Sequence, residues 1–428
     1  MSISCPADQE SVRLRRSARL GVPSLRSFLI LLSLSAGLAS NVNASETVTL
    51  TDISGTKNTG KLREWAEEQL VIMSTAELKF RQADLRLITF EHETSKPIKG
   101  EPTVWLSNGD RINARSVGVG NDLLSVSWPV LGEAAITKIP LEEVVAMILD
   151  WPATMTDRLR LIKDFETLPA GSDLVMLKNG DRLLGEVDRL DAAFVELKVG
   201  GKPLKVDRSR VRAIRLNPEL ITVKRPTANR AVLSLTDGSR VTASHIESNA
   251  DTDVLKFKSS GLGNVALPVT AVVSCHLFGD RLIPLTDYEP AKVEYTPYFS
   301  ARWPLVRNAN VQHGPLTLRE TEFVTGLGMH SRMAVTYELR GIEREFQATV
   351  GIDDLAKGAG SVIFAVELDG RRIWTSPELT GQSPATTIGK IDLSGGKRLT
   401  LLVDFGELAD VSDYADWCDA VLILDAAH

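Results

Sequence analysis

The feature that most restricts the fold is an Asn-Gly or Asp-Gly pair set between alternating apolar residues, and it occurs three times. Val104-Trp105-Leu106-Ser107-Asn108-Gly109-Asp110-Arg111-Ile112 is matched by Val175-Met176-Leu177-Lys178-Asn179-Gly180-Asp181-Arg182-Leu183. Leu233-Ser234-Leu235-Thr236-Asp237-Gly238-Ser239-Arg240-Val241 is the third copy. Such a pair is the strongest short-range hairpin signal, because both central residues of a type I′ turn take positive φ. Each copy therefore predicts a tight hairpin closed by a type I′ turn.

Each copy also closes alike, on Val144-Val145-Ala146-Met147-Ile148, Val211-Arg212-Ala213-Ile214-Arg215-Leu216 and Val272-Val273-Ser274-Cys275-His276-Leu277. Leu85-Arg86-Leu87-Ile88-Thr89-Phe90 gives the same ending to a fainter first copy beginning near Thr47. Four β repeats follow, over residues 45–95, 101–150, 173–217 and 230–278. The turn pairs start at 108, 179 and 237, spacings of 71 and 58 residues. A stacked solenoid keeps a nearly fixed period. Unequal spacing predicts small self-closed units on linkers, in outline resembling Sm-like or SH3-like barrels. Leu159, Leu161, Ile162, Phe165 and Leu168 have helical spacing and place a short helix in the 151–172 linker. The repeats carry no catalytic pattern. Asp110-Arg111 and Asp181-Arg182 read as solvated residues after a turn, and His92, His245 and His276 stand singly.

Residues 1–44 read as a secretory signal peptide. Arg13, Arg15, Arg16, Arg19 and Arg26 form a basic region, Phe28 to Ala39 is apolar, and Val42-Asn43-Ala44 offers small residues before Ser45. The apolar run is shorter than the roughly 18–20 residues that span a bilayer, so cleavage is expected and no membrane span after it. Five arginines and two acids leave with it, so a formal charge of −6 becomes −9. That balance excludes nucleic acid as a partner class, since no basic stripe remains to meet phosphates. Cys5 leaves with the leader, and Cys275 and Cys418 read as buried free thiols.

The last third alternates strand after strand: Met333, Val335, Tyr337, Leu339; Phe346, Ala348, Val350, Ile352; Val362, Phe364, Val366, Leu368; Leu399, Leu401, Val403, Phe405. Asp369-Gly370 and Gly395-Gly396 mark turns. Period-2 runs put one face inward, and two antiparallel sheets packed face to face satisfy the count. The fold class is thus mainly β: tandem barrel-like repeats followed by a β-sandwich over 282–428.

Four ordered motifs in this part resemble the NPCBM family, the novel putative carbohydrate-binding module. They are Gly326-Leu327-Gly328-Met329-His330-Ser331, Phe346-Gln347-Ala348-Thr349-Val350-Gly351-Ile352-Asp353-Asp354, Gly360-Ser361-Val362-Ile363-Phe364 with Asp369-Gly370, and Asp413-Tyr414-Ala415-Asp416-Trp417-Cys418-Asp419-Ala420. The resemblance implies a jelly-roll sandwich, galactose-type glycan binding in some relatives, and attachment to secreted glycoside hydrolases. This chain departs from the last point, since no catalytic domain is recognisable in it.

A sugar site needs an aromatic face and planar polar groups. The candidates for carbohydrate contact are His330, Arg332, Asp353, Trp374, Tyr414 and Asp416, while Trp417 begins an apolar strand and is expected in the core. Asp353, Asp354, Asp413 and Asp416 lie on loops and are candidate ligands for a hard cation such as calcium. Paired acids also raise glycoside hydrolysis, which the missing groove argues against. The expected protein is exported, in the periplasm, at the cell surface or secreted. It is non-catalytic and binds a polysaccharide or glycoconjugate. The rival reading is a structural module contacting envelope proteins through its repeats. The loops bearing His330, Asp353 and Asp416 are expected to converge at one end of the sandwich.

Overall fold

Four times between Thr47 and Phe278 the chain lays down the same meander, the closing strand returning to pair with the first. Units one, three and four have five strands and unit two has six, its second strand being broken into Arg111–Asn113 and Ser116–Gly120. The computed structural model describes residues 46–92, 101–167, 171–222, 229–249, 252–298 and 302–425. The leader expected over 1–44 lies outside these. In the third unit, Asp173–Leu177 pairs with Arg182–Leu190 on one side and with Val211–Arg215 on the other. Phe194–Val199 and Lys202–Asp207 continue the meander. A single 3-10 turn precedes every closing strand: Gln82–Asp84, Leu141–Glu143, Arg208–Arg210 and Val269–Ala271.

The hairpin turns are not type I′. Gly109 N–H donates to Leu106 O at 3.0 Å, Leu106 N–H donates to Asp110 O at 2.9 Å, and the equivalent bonds recur at Gly180 and Gly238. Positive φ falls on the glycines alone, 91°, 94° and 80°. These are type I turns closed by a left-handed glycine. The preceding asparagine uses its side chain instead of a strained backbone: Asn108 Oδ1 accepts from Asp110 N–H and its Nδ2 donates to Asp110 Oδ2, as Asn179 does with Asp181.

Nor are the units self-closed. Closing strands pair across units, with Cys275 opposite Ile88 joining the fourth to the first and Met147 opposite Ile214 joining the second to the third. Arg240 opposite Arg111 then joins the fourth to the second. The spatial order is one, four, two, three. One apolar core runs through Leu50, Ile88, Trp128, Val195, Ile214, Leu233 and Val272. The physical reason is size: a unit this small leaves a strand edge unpaired and too little core, and pairing edges cures both. The linking helix is Met155–Thr167, whose Leu161 and Phe165 pack on Ala146, Ile148, Leu174 and Met176.

The C-terminal part is a sandwich. One sheet orders Val306–Arg307, Gly326–His330, Tyr414–Leu424, Glu343–Ile352 and Thr386–Asp392, with Leu282–Pro284 beside the long strand. The other orders Lys292–Tyr295, Met333–Glu338, Arg398–Phe405, Ser361–Leu368 and Arg371–Thr375. The inward residues are those of the alternation, including Val335, Tyr337, Phe346, Val350, Phe364, Leu401 and Val403. Trp417 is fully buried among them, edge-on to Phe364 at 5.4 Å. Cys275 and Cys418 are buried free thiols.

Sandwich and repeats pack against each other. Phe278, Val232, Leu282, Val324, Val421 and Ile423 form one apolar cluster, with Ile53 of the first unit against it. Arg86 donates to Gln347 at 3.0 Å and lies 4.0 Å from Asp419, and Arg240 pairs with Glu322 at 2.7 Å.

Candidate functional site

Three strands of one sheet deliver the site. Gly326–His330 and Glu343–Ile352 both run antiparallel to Tyr414–Leu424, so the ends of the first two meet the start of the third. His330 is opposite Tyr414 and Ile352 opposite Ala415. Asp353 N–H donates to Tyr414 O at 2.7 Å. The three expected loops therefore share one end of the sandwich.

Aromatic rings gather there around His330. Trp303 stacks on its imidazole at 4.7 Å and 5° between planes, Tyr414 lies 6.1 Å from it, and Tyr295 meets it edge-on at 6.5 Å. Trp303 also meets Tyr414 at 5.8 Å. His330 is 1% exposed, whereas Trp303 and Tyr414 are half-buried and keep surface open to solvent. Burial pushes the His330 pKa down, partly offset by its Nδ1 contact with Ser331 O at 2.9 Å and by the charge of Asp410. The imidazole is therefore a neutral packing surface that fixes the tilt of Trp303. Beside it, Ser331 Oγ donates to Asp413, whose other oxygen accepts Ser361 N–H at 2.9 Å. Burial pushes the Asp413 pKa up to about 6, and Asp410 adds to the rise. Arg332 is exposed, its Nε 3.5 Å from Asp404. The Tyr295 hydroxyl is buried and has no hydrogen-bond partner among the described residues.

The remaining candidates lie elsewhere or deeper. Asp353 and Asp416 sit beneath the loop from Asn308 to Thr317, not at the surface. Asp353 accepts from Asn310 Nδ2 at 3.2 Å, Thr317 N–H at 3.0 Å and Leu355 N–H at 2.8 Å. That loop approaches because residue 328 is glycine: a Cβ there would lie 2.4 Å from the Asn310 carbonyl carbon. Asp354 accepts the N–H groups of Arg319 and Glu320. The four carboxylates expected around a cation are thus divided. Asp353 pins the loop, Asp416 lies buried beneath it, Asp354 holds a turn and Asp413 holds Ser331 and Ser361. Among the described residues no cluster of three or more acids, histidines or cysteines is placed to hold a metal. Trp374 is opposite Val366 on the edge strand of the other sheet, packed half-buried against the core, and makes no ring contact with the Trp303 cluster. Trp303 and Tyr295 were not among the sequence candidates. Their signal was the Pro- and Tyr-rich run from Pro284 to Pro304, which reads as a connector until its rings are seen to fold back.

Fold and site together define a β-sandwich module with an aromatic-walled loop end, docked on an array of β units. Residues 284–423 match the family model of the NPCBM/NEW2 domain. Over 112 residues the chain is 32% identical to a protein of Renibacterium salmoninarum named "Putative endo-alpha-N-acetylgalactosaminidase", covering 26% of this chain but only 7% of that protein's length. Among solved structures, CBM51 from Clostridium perfringens GH95 in complex with methyl-galactose is 23% identical, aligned over 33% of this chain and 99% of that one, with a TM-score of 0.30. The tandem CBM51 modules of the family 98 glycoside hydrolase from Streptococcus pneumoniae are 9% identical, with 88% of each chain covered and a TM-score of 0.30.

Proposed function

We propose that the sandwich is a carbohydrate-binding module and that the chain is an exported, non-catalytic glycan-binding protein. The carrying observation is the half-buried wall of Trp303 and Tyr414, held by His330 and flanked by the exposed Arg332. A pyranose uses such a site by laying its C–H face on the ring while a charged fork takes its hydroxyls. A galactose-type sugar suits it, because the axial 4-hydroxyl leaves a continuous C–H patch on the opposite face. The match to the NPCBM/NEW2 domain supports the class of ligand. Export rests on the basic and apolar leader, with a mature N-terminus at Ser45.

A glycan array probed with the full chain tests the reading. Binding to galactose-terminated glycans is expected. Trp303→Ala should weaken it by about 1–2 kcal/mol, near tenfold or more, while Trp374→Ala leaves it unchanged. Absence of binding to every glycan, or equal binding by the Trp303 variant, overturns it.

A further inference from the structure

The array of β units stops at the third one with an apolar face still open, and the same face is covered in units two and four. Units two and four cover each other reciprocally. Thr242 N–H donates to Asp110 Oδ1 at 2.7 Å, and Asn113 N–H donates to Ser239 Oγ at 2.9 Å. Each bond runs from the strand four residues past the turn glycine to the side chain just after the partner's glycine. The ends of the two third strands are buried in the same contact: Trp128, whose Nε1 donates to Asp237 at 2.9 Å, is 0% exposed and Ser259 is 6%. In unit one the corresponding residues, Thr56 and Thr59, are polar and exposed, as a solvated face would have them, and only the turn residue Ile53 meets the sandwich.

Unit three carries the same parts uncovered. Asp181 is exposed, whereas Asp110 and Ser239 are 2% and 1% exposed. Asn179 holds Asp181 through Oδ2, as Asn108 holds Asp110, which leaves Oδ1 turned to the same role. Leu184, which corresponds to Asn113, is 44% exposed, and Val199, which corresponds to Trp128, is 38% exposed. Both positions have become aliphatic where the internal contact uses polar groups and a tryptophan. Apolar side chains around an unmet hydrogen-bonding strand edge mark a contact surface rather than a solvated turn.

We propose that this face of unit three binds the same face of a second copy of the chain, repeating the contact made within the chain by units two and four. That internal contact is reciprocal, so a face able to make either half makes both with its own twin, and the pairing closes at two. Arg182 would lie opposite its counterpart as Arg111 lies opposite Arg240. The like charges are tolerated for the same reason in both places: Glu322 neutralises Arg240 at 2.7 Å, and Asp164 neutralises Arg182 at 2.9 Å. Asp181 would accept from the other copy's Leu184 N–H, and Val199 would lose its exposure. The two sandwiches would then be presented as a pair, which multiplies affinity for a repeating ligand.

Sedimentation equilibrium on the full chain tests this directly. A monomer–dimer equilibrium is expected, and Leu184→Lys with Val199→Glu, both tolerated by an exposed surface, should shift its midpoint by on the order of a hundredfold. Directly opposed ladder residues have Cα atoms close enough for a disulfide. In a Cys5→Ser background, with Cys275 and Cys418 buried, Arg182→Cys should therefore cross-link under mild oxidation while the exposed sandwich variant Leu408→Cys does not. A chain that stays monomeric throughout, or a dimer indifferent to the double substitution and without the Arg182→Cys cross-link, overturns the proposal.

Discussion

At Asp416 burial outweighs the contacts available to a charge. The residue is fully buried, and loss of water together with the neighbouring charge of Asp353 raises its pKa well above the usual carboxylate range. As a carboxylate it has no donor for either oxygen; protonated, it donates to Asp353. The unfolded chain releases this proton near 3.8, the folded chain only at higher pH. Between those values the native state binds more protons, so stability falls as pH rises through that window and is undiminished below it. Asp416→Asn keeps a donor toward Asp353 without the proton, so its melting temperature should pull ahead of the parent as pH rises above 3.8. Parallel melting profiles of the two proteins across pH would refute this. At Trp417, by contrast, the expected core position is the observed one, and Trp417→Ala should cost about 3–5 kcal/mol in denaturant unfolding. Side chains on a regular strand were legible because period-2 alternation fixes which face they take. Trp303 was not, because its position depends on a connector folding back over another strand's end.

Glycines at two kinds of element separate what the sequence states locally from what only packing reveals. Gly180 closes a hairpin at φ 94° with no atom within 4 Å of a prospective Cβ. Gly180→Ala should cost about 1–2 kcal/mol through backbone strain and leave glycan binding alone. Gly328 sits in an ordinary strand conformation, but a Cβ there meets the backbone of Ala309, Asn310 and Val311. Its strand partner is Val306, three residues after Trp303. Gly328→Ala should therefore weaken glycan binding as well as stability, through displacement of the segment that carries Trp303. Binding by the two variants, measured by titration calorimetry, distinguishes them, and equal affinity would show that the loop does not position the ring. The hairpins were readable because a glycine after Asn or Asp leaves few turn choices, although the side-chain bonds of Asn108 and Asn179 selected the type I form. The loop over Gly328 was unreadable, since nothing in its own residues says which strand it covers.

Across the whole molecule, the order one, four, two, three follows from edges rather than from chain order, because closing strands pair with whichever free edge the fold brings near. Sequence spacing reveals the units and not their partners, which is why separate beads were the natural expectation. The same holds for the sandwich. Its central strand turns Val421 and Ile423, joined by Val324 from a bend, against Phe278, Val232 and Ile53, and Arg86 bridges to Gln347 and Asp419. Apolar contact of this kind couples two domains in unfolding, whereas a wet, polar interface lets them melt apart. The parent should therefore show one calorimetric transition. Ile53→Asp places a charge against the cluster, and Arg86→Glu sets two acids side by side at Asp419, yet neither residue belongs to the main core of the repeats or of the sandwich. The double variant should split the transition in two and open Gly279–Arg281 to protease, with each part keeping its own secondary structure. A single transition at the parent's midpoint would mean that this interface is not what couples the two parts.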